Sequence, residues 1–232
     1  MTTTMNPREV AELGVEELGA DPSAQEVLAW AADTFGEKLI VASSMQDAVL
    51  VDLASTAIPG VEVLFLDTGY HFAETIGTRD AVEATYDVRI VNARAQRSTA
   101  RQDIEFGKDL WARDPGGCCA MRKVTPLRDT LAGYDAWVTG VRRTEASTRA
   151  NTPVVSFDEK FGLVKINPIA SWSDDDVDAY IRDHNVLVNP LIDAGYPSIG
   201  CAPCTAKPAP GSDPRSGRWA GTGKVECGLH VA

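Results

Sequence analysis

The chain has 232 residues and a net charge of −11, from 33 acidic against 22 basic side chains. That balance argues against nucleic acid or an anionic membrane as the main partner, because either calls for a basic face, but a small anionic substrate needs only a few well-placed cations. No apolar run reaches the ~18 residues of a membrane span, and residues 1–7 lack the basic and apolar parts of a secretion signal, so a cytoplasmic protein is expected.

In chain order, Asp21-Pro22-Ser23 opens a helix, with a cap and a proline in the first turn, that runs through Val27, Leu28 and Ala31 to Gly36. Leu39–Ala42 reads as a buried strand, Ser43-Ser44-Met45-Gln46 as a turn, and Asp47–Ile58 as an amphipathic helix closed by Pro59-Gly60. The strand Val61–Leu66 ends at Asp67-Thr68-Gly69, and a helix from about His71 to Tyr86 leads into the strand Val88–Val91. Ala136–Gly140 is a fourth strand, followed by short β-like segments at Val154–Phe157 and Leu163–Ile166. Ser173–Asn185 is a capped helix with Asp174, Asp175 and Asp176 in its first turn, where the macrodipole favours anions.

Strand–turn–helix alternation predicts the α/β class: a single domain with a parallel twisted sheet flanked by helices. Residues 1–188 form that body, and the Gly-, Pro- and Ser-rich residues 189–232 form an extended C-terminal tail expected to move. Ligands of such sheets bind at the carboxyl ends of the strands. Ser43-Ser44, Asp67-Thr68-Gly69 and Gly140–Arg149 should therefore meet at one crevice.

The five cysteines fall into an adjacent pair, Cys118-Cys119, a spaced pair, Cys201-Ala202-Pro203-Cys204, and the solitary Cys227. Four thiols in two pairs suit one metal centre. A CxxC alone also suits a disulfide oxidoreductase. Neighbouring thiolates converge poorly on one tetrahedral zinc, whereas a cubane offers each a separate iron. The order of preference is therefore a [4Fe–4S] cluster, then zinc, then a redox disulfide. Cys227 stands in a stretch too short and polar to bury it, which marks it as a candidate nucleophile.

Cations cluster around these thiols. Lys123 follows the adjacent pair, Arg215 and Arg218 precede Cys227, and Arg142, Arg143 and Arg149 share one loop. Guanidinium forks suit phosphate and sulfate oxygens, and nearby cations lower a thiol's pKa. His230 can contact the same anion, though it reads equally well as a surface histidine. Ser43 and Ser44, ahead of a helix N-terminus, either hold a phosphate or simply cap the helix.

With those residues assembled, the chain resembles the assimilatory adenylyl-sulfate reductases of the iron–sulfur type, within the PAPS/APS reductase family. The resemblance spans nearly the whole chain. It rests on Leu66-Asp67-Thr68-Gly69-Tyr70-His71-Phe72, Cys118-Cys119-x-x-Arg122-Lys123, Gly140-x-Arg142-Arg143, Gly200-Cys201-x-x-Cys204 and Lys224-Val225-Glu226-Cys227-Gly228-Leu229-His230. It implies an adenine nucleotide α-hydrolase-like fold, a [4Fe–4S] cofactor, adenosine 5′-phosphosulfate as substrate and thioredoxin as reductant, in sulfate assimilation and cysteine biosynthesis. By position it makes Cys227 the nucleophile and Cys118, Cys119, Cys201 and Cys204 the cluster ligands. It puts Lys123, Arg215, Arg218 and His230 around the sulfate and Arg149 near the nucleotide phosphate. Where family members often carry a histidine or acid before the cysteine pair, this chain has Gly116-Gly117. Three alternatives stand beside this one. They are a 3′-phosphoadenylyl-sulfate reductase, a non-enzymatic Cys₄ sensor, and an ATP-pyrophosphatase, which the missing Ser-Gly-Gly loop disfavours.

Overall fold

A computed structural model describes residues 6–220 together with 222, 224, 228 and 229. Its helices and strands, in chain order, are α1 (Pro7–Leu18), α2 (Ala24–Phe35), β1 (Leu39–Ala42), α3 (Val49–Ala57), β2 (Val61–Asp67), α4 (Ala73–Thr85), β3 (Val88–Arg94), α5 (Thr99–Phe106), α6 (Leu110–Arg113), α7 (Pro115–Cys119), α8 (Thr125–Leu131), β4 (Ala136–Thr139), β5 (Val155–Asp158), β6 (Leu163–Ile166) and α9 (Asp174–His184). A turn of π-helix, Ala120–Val124, joins α7 to α8.

The strands form one six-stranded sheet in the order β3-β2-β1-β4-β6-β5. All neighbours are parallel except the edge pair β5–β6, which is antiparallel. The expected parallel sheet is thus present, and the two short segments beyond β4 complete it. Side-chain alternation splits the core into two layers. Val41, Val63, Phe65 and Val138 face α2, α3 and α9, whereas Ile40, Leu64 and Trp137 face Leu127 and Leu131 of α8.

Chain direction across the sheet reverses between β1 and β4. Such a switch point opens a crevice beyond the strands' carboxyl ends, because the following loops diverge to opposite sides. The Ser43 turn leaves β1 there, and the Gly140 loop leaves β4.

Some elements differ from the sequence reading. Ser23, not Asp21, caps α2, accepting the Glu26 N–H in a capping box while Glu26 returns a bond, so Pro22 lies outside the helix. Helix α1 carries the same signature, with Asn6 as cap, Pro7 at the first position and Glu9 closing the box. That signature is local chemistry and is legible in the sequence. The helices between residues 99 and 131 are additional to those read from the sequence.

Candidate active site

The adjacent cysteines end α7, which starts at Asp114-Pro115. The Asp114 carboxylate accepts the Gly117 N–H at 2.8 Å. A Cβ on Gly117 would stand 2.3 Å from Asp114 Oδ2, so glycine is what lets the cap close. Cys201 and Cys204 flank a single 3₁₀ turn, Ala202–Cys204, whose first N–H donates to the Tyr70 carbonyl at 2.7 Å. Thr68 Oγ1 lies 3.3 Å from Cys201 Sγ.

Cys118, Cys119, Cys201 and Cys204 line one small pocket, with Lys123 and Arg218 also in its wall. Burial, with the neighbouring thiols adding, pushes both Cys118 and Cys204 up to about 11. Four thiols packed so close become thiolates together only when a positive centre compensates them. A tetrahedral zinc, with Zn–S near 2.3 Å, draws its sulfurs within about 4 Å of one another. Among the described residues no three His, Cys, Asp or Glu side chains form a group able to hold a single metal ion. The donor set around the pocket is all sulfur, the ligand chemistry that iron–sulfur clusters take.

Arg122, 4% exposed, ties this pocket to the rest of the site. It donates to Gln102 Oε1 (2.7 Å), the Thr68 carbonyl (3.1 Å) and the Arg97 carbonyl (3.2 Å). Arg122 and Lys123 both belong to the π-turn and diverge as consecutive helical residues do. Arg122 points into this network, whereas Lys123 lines both the thiol pocket and the neighbouring crevice. Wide turns of this kind recur at functional sites because they re-aim side chains without ending the helix.

The crevice at the switch point has a volume of about 960 Å³. Ser43, Ser44, Thr68, His71, Lys123, Arg142, Arg149, Arg215 and Arg218 all line it, so the three loops expected there do converge. Cys227 and His230, the other two predicted site residues, lie outside the described residues.

The serine turn departs from expectation. Helix α3 begins only at Val49, and Ser43 Oγ accepts the Met45 N–H instead of facing free helix N–H groups. The first turn of α3 is met by Asp47, whose Oδ1 takes the Val49 N–H at 3.1 Å. Burial raises the Asp47 carboxyl above its usual range. Asp47 thus takes the first N–H of α3, and Ser43 and Ser44 line the crevice ahead of that helix end.

The arginines are held by acids that the sequence reading gives no role at the site, Asp174 reading only as a first-turn acid of its helix. Arg142 pairs with Asp174 at 2.7 Å and Arg149 with Glu145. Arg143 is exposed and donates to the Thr152 carbonyl at 2.9 Å. Arg218 donates to Ser198 Oγ (3.2 Å) and the Ile199 carbonyl (3.0 Å), and its guanidinium lies 4.7 Å over the Trp219 ring. Gly200 makes room for it, because a Cβ there would stand 2.2 Å from Arg218 Nη2. Sequence reading also passed over His71 as a site residue. Burial lowers its pKa, so it is neutral at pH 7, and its Nδ1 is buried without a hydrogen-bond partner among the described residues.

The phosphoadenosine phosphosulfate reductase domain matches residues 38–207. The chain belongs to that family. Among its relatives, proteins named adenosine 5′-phosphosulfate reductase are 65% identical in Rhodococcus opacus (97% of this chain, 95% of the relative), 64% in Mycolicibacterium smegmatis (100% and 98%) and 57% in Mycobacterium tuberculosis (97% and 95%). Among solved structures, the phosphoadenylyl-sulfate reductase of Candida auris, in a phosphate complex, superposes with a TM-score of 0.72 at 29% identity, over 89% of this chain and all of that one. FMN adenylyltransferase of Candida glabrata (TM-score 0.57, 11% identity, 88% of this chain and 76% of that one) shares the fold alone. The matched domain ends before Arg215, Arg218 and Cys227, whereas the match to the Mycolicibacterium smegmatis relative covers the whole of this chain. No helix among the described residues is long and apolar enough to cross a membrane.

Proposed function

We propose that this family member reduces adenosine 5′-phosphosulfate to sulfite and AMP through a cysteine S-sulfonate on Cys227, with thioredoxin as the reductant. The observation that carries this reading is the commitment of four of the five thiols to one buried pocket that shares Lys123 and Arg218 with an anion-sized, arginine-lined crevice. The fifth thiol is then the one available for chemistry.

The Cys227 thiolate attacks the sulfate sulfur, the S–O bond to AMP breaks, and the electron pair leaves on the phosphate. A thiol of an external dithiol next attacks Cys227 Sγ, and sulfite departs with the pair of the broken S–S bond. The second external thiol then resolves the mixed disulfide. Sulfur falls from +6 to +4, and two thiols become one disulfide. With four cysteines occupied, no resolving thiol is left inside the subunit, which is why an outside dithiol such as thioredoxin is required.

Lys123, Arg215 and Arg218 bind the sulfate and neutralise charge that grows on the phosphate as AMP leaves. Arg142 and Arg149, pre-oriented by Asp174 and Glu145, line the nucleotide end; Ser43 and Ser44 contribute hydroxyls, and His230 is assigned to the sulfate. Cys118, Cys119, Cys201 and Cys204 would hold a [4Fe–4S] cluster. Bound there, the cluster supplies a structural tie and a fixed local charge, with no open iron for substrate.

Incubation with adenosine 5′-phosphosulfate and no reductant should add one sulfonate to the peptide containing Cys227, and Cys227→Ser should make no sulfite. An unchanged peptide mass sinks the reading. Competition between adenosine 5′-phosphosulfate and its 3′-phosphorylated form, scored by kcat/KM, tests substrate choice; the high identity to adenosine 5′-phosphosulfate reductases favours the former. Iron and acid-labile sulfide analysis separates a cluster from zinc.

A further inference from the structure

The turn between β5 and β6 is built to present two side chains. Asp158 Oδ1 accepts the N–H groups of Lys160 (3.0 Å) and Phe161 (3.2 Å), and Gly162, at φ +76°, returns its N–H to the Asp158 carbonyl at 2.7 Å. On its outer side the hairpin is fastened to α1, where Arg8 pairs with Glu159 at 2.7 Å and lies 4.7 Å over Phe157. On its inner side the Phe161 ring stands edge-on to Trp137, 5.6 Å between centroids.

The C-terminal segment meets this turn. Lys160 Nζ donates to the Gly228 carbonyl and sits 5.7 Å over the Phe161 ring. Gly228 adopts φ +78°, a left-handed conformation that glycine takes without strain. The half-buried Leu229 packs against the apolar layer of Ile40, Leu64, Leu127, Trp137 and Phe161, and it also lines the crevice. Neither Lys160 nor Phe161 has a part in the chemistry described above.

From this we infer that Lys160, with the apolar socket around Phe161, is a positioning site for the reactive thiol, seating Gly228-Leu229 so that Cys227 is delivered to the crevice. The inference rests on Cys227 being the nucleophile. Gly228 directly follows Cys227 in the sequence, so whatever holds Gly228 bears on the thiol through one peptide link. Restricting the thiol's search converts a loose encounter into an oriented attack. One ammonium–carbonyl bond and one half-buried leucine form a weak attachment, which also allows the S-sulfonated segment to leave its seat for an external dithiol.

The test measures the rate of Cys227 S-sulfonation in the full-length protein, by peptide mass, at saturating adenosine 5′-phosphosulfate without reductant. Sulfonation of the wild type checks the nucleophile itself; if it is absent, both readings fall. Given a reactive wild type, Lys160→Ala and Leu229→Ala should each slow sulfonation about five-fold or more, the loss expected from removing one charged hydrogen bond or half a leucine's burial. Lys160→Arg, which keeps a donor, should restore most of the rate. Lys160 is not a crevice-lining residue, so Lys160→Ala should leave equilibrium nucleotide affinity and Tm unchanged. A wild-type sulfonation rate in Lys160→Ala overturns the inference, as does a slowing matched by an equal loss of nucleotide affinity or Tm.

Discussion

Replacing Arg122 with Met should cost this protein far more than a typical arginine would. The substitution keeps an apolar stem but removes every donor. Gln102, fully buried, loses the partner of its Oε1, and the carbonyl of buried Thr68 loses its own. A buried acceptor left unsatisfied costs about 1–3 kcal/mol, so these two together give about 2–6 kcal/mol. The Arg97 carbonyl is only part-buried, and water can take over its bond. The ring of Tyr70, 5.3 Å below the guanidinium, loses a cation–π contact as well. Taking about 4 kcal/mol as the centre, and about 2–4 °C per kcal/mol for a chain of this size, Tm should fall by about 8–16 °C. The damage is not confined to stability. Arg122 joins the Thr68 turn, which touches Cys201, to the helix bearing Cys118 and Cys119. With the proposed cluster in the thiol pocket, iron content after identical purification should therefore fall together with Tm. Thermal unfolding by circular dichroism and an iron assay read the two effects. Should Arg122→Met melt within about 0.5 kcal/mol of wild type, as an ordinary surface change would, with its iron intact, the proposed tie between the two thiol segments is wrong.

Three other outcomes are expected. Gly117→Ala should expel the Asp114 cap and destabilise by about 1 kcal/mol, whereas Gly116→Ala, whose Cβ would meet Asp114 Oδ1 at 3.4 Å, should be neutral or stabilising; denaturant midpoints of the same sign for both would refute the cap argument. Gly200→Ala should displace the Arg218 guanidinium and raise KM for adenosine 5′-phosphosulfate on the order of ten-fold, the worth of a charge-assisted hydrogen bond. The same change should do little in an Arg218→Ala background, and additive effects there would refute the steric link. Burial holds the His71 pKa below its unfolded value of about 6.5, so its contribution to stability is complete above that pH and is lost as pH falls toward the folded pKa. Tm measured between pH 8 and 5 should therefore drop less steeply in His71→Gln, and an unchanged slope would show that His71 does not carry the effect.

The sequence by itself determined where the chain turns and which residues face inward. Leu39–Ala42 and Leu163–Ile166 read as strands because strands covered on both faces must be apolar at almost every position. Ser173 and Asn185 marked both ends of α9 because capping is local chemistry. The cysteine groups and their flanking cations announced the class of chemistry from spacing and residue type alone. What only the tertiary structure decided was who meets whom. Asp174 reads from the sequence only as a first-turn acid of its helix, and its pairing with Arg142, 32 residues away, arises because the sheet brings the loop after β4 to the start of α9. Arg122 and Lys123 are neighbours in sequence and both line the thiol pocket, yet Arg122 is tied into a buried network while Lys123 also lines the crevice. Thr68 and Cys201 are 133 residues apart, and Lys160 and Gly228 are 68 apart. Periodicity and capping report interactions within a turn or two of the chain. Contacts across such separations depend on how the whole sheet closes, which no local window contains.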